Sequence, residues 1–192
     1  MFSYRGYVGK WLWVDLTQGR VEPREDDLAL AEQYLGGNGW GTRLLWQNVG
    51  PDVDPLGPDN WLILATGPLC GTVVPNPGRM EVVAKSPLTG IYGDANAGGF
   101  FGPELKFAGW DAIVVTGRAP APLYLVIDDQ KVALRDASHL WGLTTSRTEE
   151  VIRRDWGDAG VKTAVIGPAG ENLVRIAGIQ LTPQRSAARC GL

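Results

Sequence analysis

Apolar runs along this chain predict short strands, with a few helices between them. Lys10-Trp11-Leu12-Trp13-Val14-Asp15-Leu16 predicts a strand, Thr17-Gln18-Gly19 a turn and Arg20-Val21-Glu22 the returning strand of a hairpin. Asp26 or Asp27 can cap a helix whose apolar positions are Leu28, Ala31, Tyr34 and Leu35. Gly36-Gly37-Asn38-Gly39 breaks it, and Trp40 to Gln47 resumes as a second helix with Leu44 and Leu45 inward. Pro51 to Pro58 is a surface connection. Trp61 to Thr66, continuously apolar, predicts a buried strand, and Arg79 to Ala84 another. Around Leu105 a short helix is expected, with Pro103 in its first turn, Gly109 just past its end, and Phe101, Leu105 and Ala108 on one side. Ala112 to Thr116 is a strand, and Leu123 to Asp128 pairs with Lys131 to Arg135 around Asp129-Gln130. Thr144 or Thr145 caps a helix to about Asp155, with Val151 and Ile152 inward. Lys162 to Ile166 and Leu173 to Ile179 are the last expected strands.

That order contains a repeat. Leu12-Trp13-Val14-Asp15 matches Leu125-Val126-Ile127-Asp128, and Leu64-Ala65-Thr66-Gly67-Pro68 matches Ala164-Val165-Ile166-Gly167-Pro168. Lys85-Ser86-Pro87 falls where Leu181-Thr182-Pro183 falls in the second copy. A period of about 100 residues is too long for a solenoid unit, so one α/β half is duplicated. The predicted fold is α/β (α+β): one domain over residues 1–192, with pseudo-repeat halves at about 8–111 and 112–192. Two mixed β-sheets pack together with helices on the outside, a four-layer α/β/β/α arrangement. Duplication can serve folding alone. It also delivers two equivalent small-residue segments, Asn96-Ala97-Gly98-Gly99 and Arg185-Ser186-Ala187-Ala188-Arg189-Cys190-Gly191, which would suit a roughly two-fold ligand.

Composition narrows the choices. Hydrophobic residues make up 44% and charged residues 20%, ordinary for a globular domain, and the net charge of −3 gives no reason to expect a nucleic-acid partner. No apolar run approaches a membrane span, and MFSYRGYVGK does not have the pattern of a signal peptide, so a cytoplasmic location is expected. Cys70 and Cys190 are the two cysteines and exclude a four-cysteine cluster within this chain; one histidine argues against a dedicated zinc site. The 26 glycines imply close backbone approaches, and the 8 tryptophans imply large core or interface anchors.

The stretch Lys85 to Asp111 carries the candidate chemistry. Small residues followed by a helix start leave unpaired N–H groups facing outward, which favours an anion; the plain alternative is a tight turn packed on a sheet. Neither common phosphate loop is present: no G-x-x-x-x-G-K-[ST] occurs, and AGGFFG has alanine where a dinucleotide fingerprint needs its first glycine. That leaves a flavin or nicotinamide enzyme poorly supported.

Several motifs occur together, in order: Gly67-Pro68-Leu69, Pro77-Gly78-Arg79, Lys85-Ser86-Pro87-Leu88-Thr89-Gly90, Asn96-Ala97-Gly98-Gly99, Phe101-Gly102-Pro103-Glu104-Leu105-Lys106, Asp136 to Gly142 and Ile166 to Asn172. Over essentially its whole length the chain resembles the N-terminal domain of the tungsten-containing aldehyde:ferredoxin oxidoreductases, a family that also includes a catalytic subunit of benzoyl-CoA reductase. The resemblance implies a tungstopterin: tungsten or molybdenum held by two pterins (bis-molybdopterin), whose phosphates meet at magnesium. Arg79, Asn96, Ala97, Gly98 and Gly99 would contact one pterin and Arg185, Ser186 and Ala188 the other. Backbone carbonyls of Asn96 and Ser186 would reach magnesium. No catalytic residue is assigned in this chain.

The family motif usually reads R-A-A-G-R-G-G, whereas here Ser186, Ala188 and Cys190 depart from it. A positive φ at Ala188 or Cys190 would make the added side chain costly. Asp94 would add negative charge near phosphates unless turned away. His139 is expected to make a structural hydrogen bond, and Cys70 to be a small buried residue.

In the family two further domains follow, carrying a 4Fe–4S cluster and the substrate groups, so a truncated chain with an open apolar patch is expected. The implied partners are those downstream domains or a subunit, ferredoxin, and a second copy of the chain. Alternatives are a non-catalytic scaffold or part of a benzoyl-CoA-reductase-type enzyme.

Overall fold

The computed structural model describes residues 6–25, 28–182, 184–188 and 191, with the backbone alone of Leu28. The cap expected at Asp26 or Asp27 and the departure at Cys190 lie outside the described residues. Strands β1 (Lys10–Asp15) and β2 (Arg20–Glu25) form the first hairpin. Leu12 and Val14 are buried on one face of β1 and Trp11 on the other, as suits a strand covered on both sides. β2 is the edge and carries Pro23, which has no N–H for a further ladder.

Helices α1 (Leu28–Tyr34) and α2 (Asn38–Asn48) follow, then β3 (Leu62–Thr66), β4 (Met80–Lys85) and β5 (Tyr92–Ala97). Gly36, between the helices, has φ 147°, and a side chain there would meet the Thr66 carbonyl oxygen at 2.9 Å. Only glycine lets the helix pair come this close to the end of β3. Helix α3 (Phe101–Phe107) leads to β6 (Ala112–Thr116), which inserts parallel to β1 and antiparallel to β3. The resulting six-stranded mixed sheet has the order β2-β1-β6-β3-β4-β5.

Next come the hairpin β7 (Leu123–Asp128) and β8 (Lys131–Asp136), helix α4 (Thr145–Trp156), β9 (Ala164–Val165), α5 (Pro168–Glu171), β10 (Ile179–Leu181) and β11 (Arg185–Ala187). Thr144 caps α4 by accepting from the Arg147 N–H, and Gly157 ends it in the left-handed region. Strands β11-β10-β9 form an antiparallel sheet of their own.

One core lies between the six-stranded sheet and the smaller ones: Leu12, Leu64, Val82 and Ile113 meet Ile179, Leu181 and Ala187, with Leu125 and Leu134 packed alongside. The opposite sheet face, with Ile63, Val83 and Val114, meets Trp40, Leu44 and Leu45 of α2. Val151 of α4 packs on Ala137 and Leu140, with Tyr124 beside them. Burying each aliphatic side chain of this kind contributes about 1.5–3 kcal/mol.

The expected four-layer arrangement is therefore present, with α1 and α2 outside one sheet and α4 outside the other, while α3 sets Leu105 into the core between the sheets. Its second sheet is divided into two antiparallel pieces, and only the first sheet is mixed. β6 belongs to the first sheet, so the chain leaves that sheet after Thr116 rather than near residue 111. The strand expected from Leu173 begins only at Ile179. Leu173 adopts φ 55° just after α5, and the Asn172 side chain donates to the Pro168 carbonyl at 2.7 Å. Leu173, Val174 and Ile176 are left exposed. Their apolar character had suggested a strand, but the turn after α5 prevents pairing.

Candidate functional site

Strand alternation builds the first part of the site. Ala95 and Ala97 of β5 point into the core between the sheets, so Tyr92, Asp94 and Asn96 face the α2 side. The ladder sets Glu81 of β4 directly opposite Asn96. Asn96 Nδ2 donates to Glu81 Oε1, and Arg79 Nη1 donates to Asn96 Oδ1. Burial pushes the Glu81 carboxyl above its ordinary range; the Asn96 bond opposes this, Asp94 adds to it, and Arg79 opposes it. Asp94 is turned toward α2, where Asn38 donates to it at 2.9 Å, and Thr42 bonds the Tyr92 hydroxyl at 3.0 Å.

Beyond Ala97 the backbone opens. A side chain built at Gly98 would meet nothing within 4 Å, so this peptide is accessible to a flat ligand. Gly99, with φ 113°, packs instead against the preceding loop: a side chain at Gly78 would come within 2.5 Å of the Gly99 carbonyl oxygen. Helix α3 starts two residues before Pro103, and Gly109 follows its end with φ 95°.

The second segment is β11. Arg185 and Ser186 are exposed, and the Ser186 hydroxyl donates to Gln180 Oε1 at 2.7 Å. Ala187 is fully buried in the same core as Ala95 and Ala97. Ala188 does not have a positive φ, and its methyl faces Gly178, where a side chain would lie 2.7 Å away. The extra methyl at Ala188 is accommodated by a glycine across the hairpin.

Both segments meet at one seam. β5 is the edge of the six-stranded sheet, β11 is the edge of the three-stranded sheet, and the two edges pack side by side. The Phe100 N–H donates to the Thr182 carbonyl across this seam at 3.5 Å. The seam thus gathers Arg79, Asn96, Ala97 and Gly98 beside the strand carrying Arg185 and Ser186. Edge strands keep part of their backbone N–H and C=O groups free of ladder bonds.

Other candidate positions serve the fold. Lys85 is buried, donating to the carbonyls of Pro51 at 2.5 Å, Val53 at 2.7 Å and Gly50 at 3.4 Å, so it holds a loop. His139 Nε2 lies 3.4 Å from Asp155 of α4. Cys70 is buried, and burial pushes its thiol up to about 11. Among the described residues no three His, Cys, Asp or Glu side chains gather as a metal site would require, and no helix is long and apolar enough to cross a membrane. Leu69, Val73, Val74, Phe100 and Phe107 are exposed. Glu81 was not foreseen; its signal was the Arg79-x-Glu81 alternation, which gains meaning only once the register with Asn96 is known.

Known proteins share this chain's sequence pattern and fold. Residues 11–192 match the family described as aldehyde ferredoxin oxidoreductase, N-terminal domain. Over 187 residues the chain is 50% identical to the tungsten-containing aldehyde ferredoxin oxidoreductase of Pyrococcus furiosus, covering 97% of this chain and 31% of that protein. The corresponding protein of Pyrococcus abyssi is 49% identical over 187 residues, with the same coverage of 97% and 31%. A solved structure, the active-site complex BamBC of benzoyl coenzyme A reductase with 1,5-dienoyl-CoA, superposes with a TM-score of 0.95 at 42% identity, covering 97% of this chain and 28% of that one. The chain spans about a third of the length of the curated relatives it matches.

Proposed function

Because this chain belongs to the aldehyde ferredoxin oxidoreductase N-terminal domain family, we propose that it is the cofactor-binding base of a tungsten or molybdenum bis-pterin oxidoreductase. The observation that carries this reading is the seam, where two edge strands present small-residue backbone from distant parts of the chain. The residues present fit such a group. Gly98 offers open backbone, Arg79 is exposed, and the methyl of Ala188 is taken up by Gly178.

Arg79, Asn96, Ala97, Gly98 and Gly99 receive one pterin arm, and Arg185, Ser186 and Ala188 the other. Arg79 commits one N–H to Asn96 and keeps the rest of its planar fork for phosphate oxygens. Backbone carbonyls of Asn96 and Ser186 offer hard oxygen ligands for magnesium, which keeps waters in its remaining positions. When bound, the group supplies a two-electron redox centre. This domain binds it, aligns it and shields one side from water.

The whole protein's reaction needs groups beyond these 192 residues. We propose aldehyde plus water going to carboxylic acid, two protons and two electrons, the electrons leaving through a 4Fe–4S cluster on a downstream domain or subunit to ferredoxin in the cytoplasm. The 50% identity to aldehyde enzymes against 42% to the benzoyl-CoA reductase complex favours the aldehyde reading.

The test is metal and pterin analysis of the chain produced with and without the downstream domain or subunit proposed here. Arg79→Ala and Arg185→Ala should each lower cofactor affinity roughly ten- to a hundredfold, as expected for losing a charge-assisted contact of about 1.5–3 kcal/mol. The exposed Lys131→Ala serves as control. Full occupancy in both arginine variants would sink the proposal, and absence of metal and pterin from the unaltered protein would favour a scaffold.

A further inference from the structure

We infer that Glu81 is a positioning residue that fixes which way the Asn96 amide faces and so holds the Arg79 guanidinium at the seam. An asparagine amide has a donor end and an acceptor end that are nearly equal in shape. Asn96 sits between two side chains that each accept only one of those ends. Glu81 Oε1 takes the Nδ2 donor, which leaves Oδ1 toward Arg79, a residue with donors only. The cross-strand register makes the contact direct, since Glu81 and Asn96 are paired positions of β4 and β5.

Packing alone does not account for a carboxylate here. Glu81 Oε2 is buried without a hydrogen-bond partner among the described residues, an arrangement that costs stability. A glutamine would fill the same space and could satisfy the amide either way round. What only the ionised glutamate supplies is an acceptor with no donor, and therefore one orientation of Asn96. Stability lost at a site and recovered as fixed geometry is a recurring feature of functional positions.

The role of Arg79 toward a cofactor phosphate rests on the function proposed above; the positioning by Glu81 does not, and it is read without ligand. The measurement is ¹⁵N NMR of the Arg79 guanidinium in the 192-residue protein, following proton exchange and rotation about its C–N bonds. Glu81→Gln should speed exchange of the Arg79 side-chain protons by about fivefold or more, the loss expected for one hydrogen bond. It should also leave the fold as stable as before or more so. In the background of Asn96→Ala the same Glu81→Gln change should leave Arg79 unaltered, because the amide through which Glu81 acts on it is gone.

An Arg79 signal insensitive to Glu81→Gln would overturn the inference. So would an effect of equal size in the Asn96→Ala background, which would mark Glu81 as merely structural. Titration with pyrophosphate then reads the proposed function separately. Failure of the unaltered protein to bind it would count against a phosphate site while the guanidinium result stands.

Discussion

Lys106 Nζ lies 2.5 Å from Asp111 Oδ1, with the two side chains at 7% and 0% exposure. Asp111 Oδ2 also accepts the N–H groups of Val8 at 2.8 Å and Gly9 at 2.7 Å, and Lys106 donates to the Gly6 carbonyl at 2.6 Å. The pair therefore ties the segment before β1 to the end of α3 and the start of β6. Removing one partner of a buried pair strands the other charge, so Asp111→Asn should cost about 3–5 kcal/mol. Urea unfolding checks this, and an unchanged midpoint would contradict it.

Lys85→Ala is expected to destabilise the protein by about 2–3 kcal/mol, because three backbone carbonyls lose a charged donor. It is therefore a poor neutral control for cofactor binding, despite lying in the motif that leads to Asn96. The midpoint of urea unfolding should fall without a change in slope.

Gly178→Ala should cost about 1–3 kcal/mol, since its methyl would meet the Ala188 Cβ at 2.7 Å and the Ala187 carbonyl oxygen at 2.8 Å. Adding Ala188→Gly to that variant removes one of the two clashes and should recover part of the loss. A double-mutant cycle measures the coupling; strict additivity would mean the two positions do not share this space.

Glu81 makes stability depend on pH. Its folded carboxyl is raised above the ordinary 4.5 by burial, with Asp94 adding to the effect and Asn96 and Arg79 opposing it. The folded state thus holds this proton more tightly than the unfolded chain. Its contribution is intact below 4.5, is lost as pH rises through the raised value, and stays lost above it. Glu81→Gln lacks this loss, so its stability advantage over the unaltered protein should grow through that window and then level off. Unfolding midpoints followed from below pH 4.5 upward, for the unaltered protein and Glu81→Gln side by side, decide the matter.

Cys70 should resist alkylation in the folded protein. With its thiol pushed up to about 11, roughly a thousandth is thiolate at about pH 8, and the sulfur is buried besides. Mass mapping of the Cys70 peptide after iodoacetamide should show label only when the protein is denatured. Rapid native labelling would place the thiol in a different environment.

Local chemistry was readable in the residue order. Apolar alternation located the hairpins and the strands around Ile63, Val82 and Ile113 closely, and Thr144 and Gly157 mark the ends of α4 by their capping preferences. The ordered short motifs pointed to the family and to the two small-residue segments, since each motif consists of residues near one another in the chain. Distant contacts decided the rest. β6 joins the first sheet because it pairs with β1 and β3, which no local pattern specifies. Glu81 gains its role only from the register that sets it against Asn96, and Lys85 is buried only because residues 50–53 fold over it. The meeting of β5 and β11 as neighbouring edges is likewise a property of packing: strand propensity makes each strand, but only the shared core of Ala95, Ala97 and Ala187 brings them to one seam.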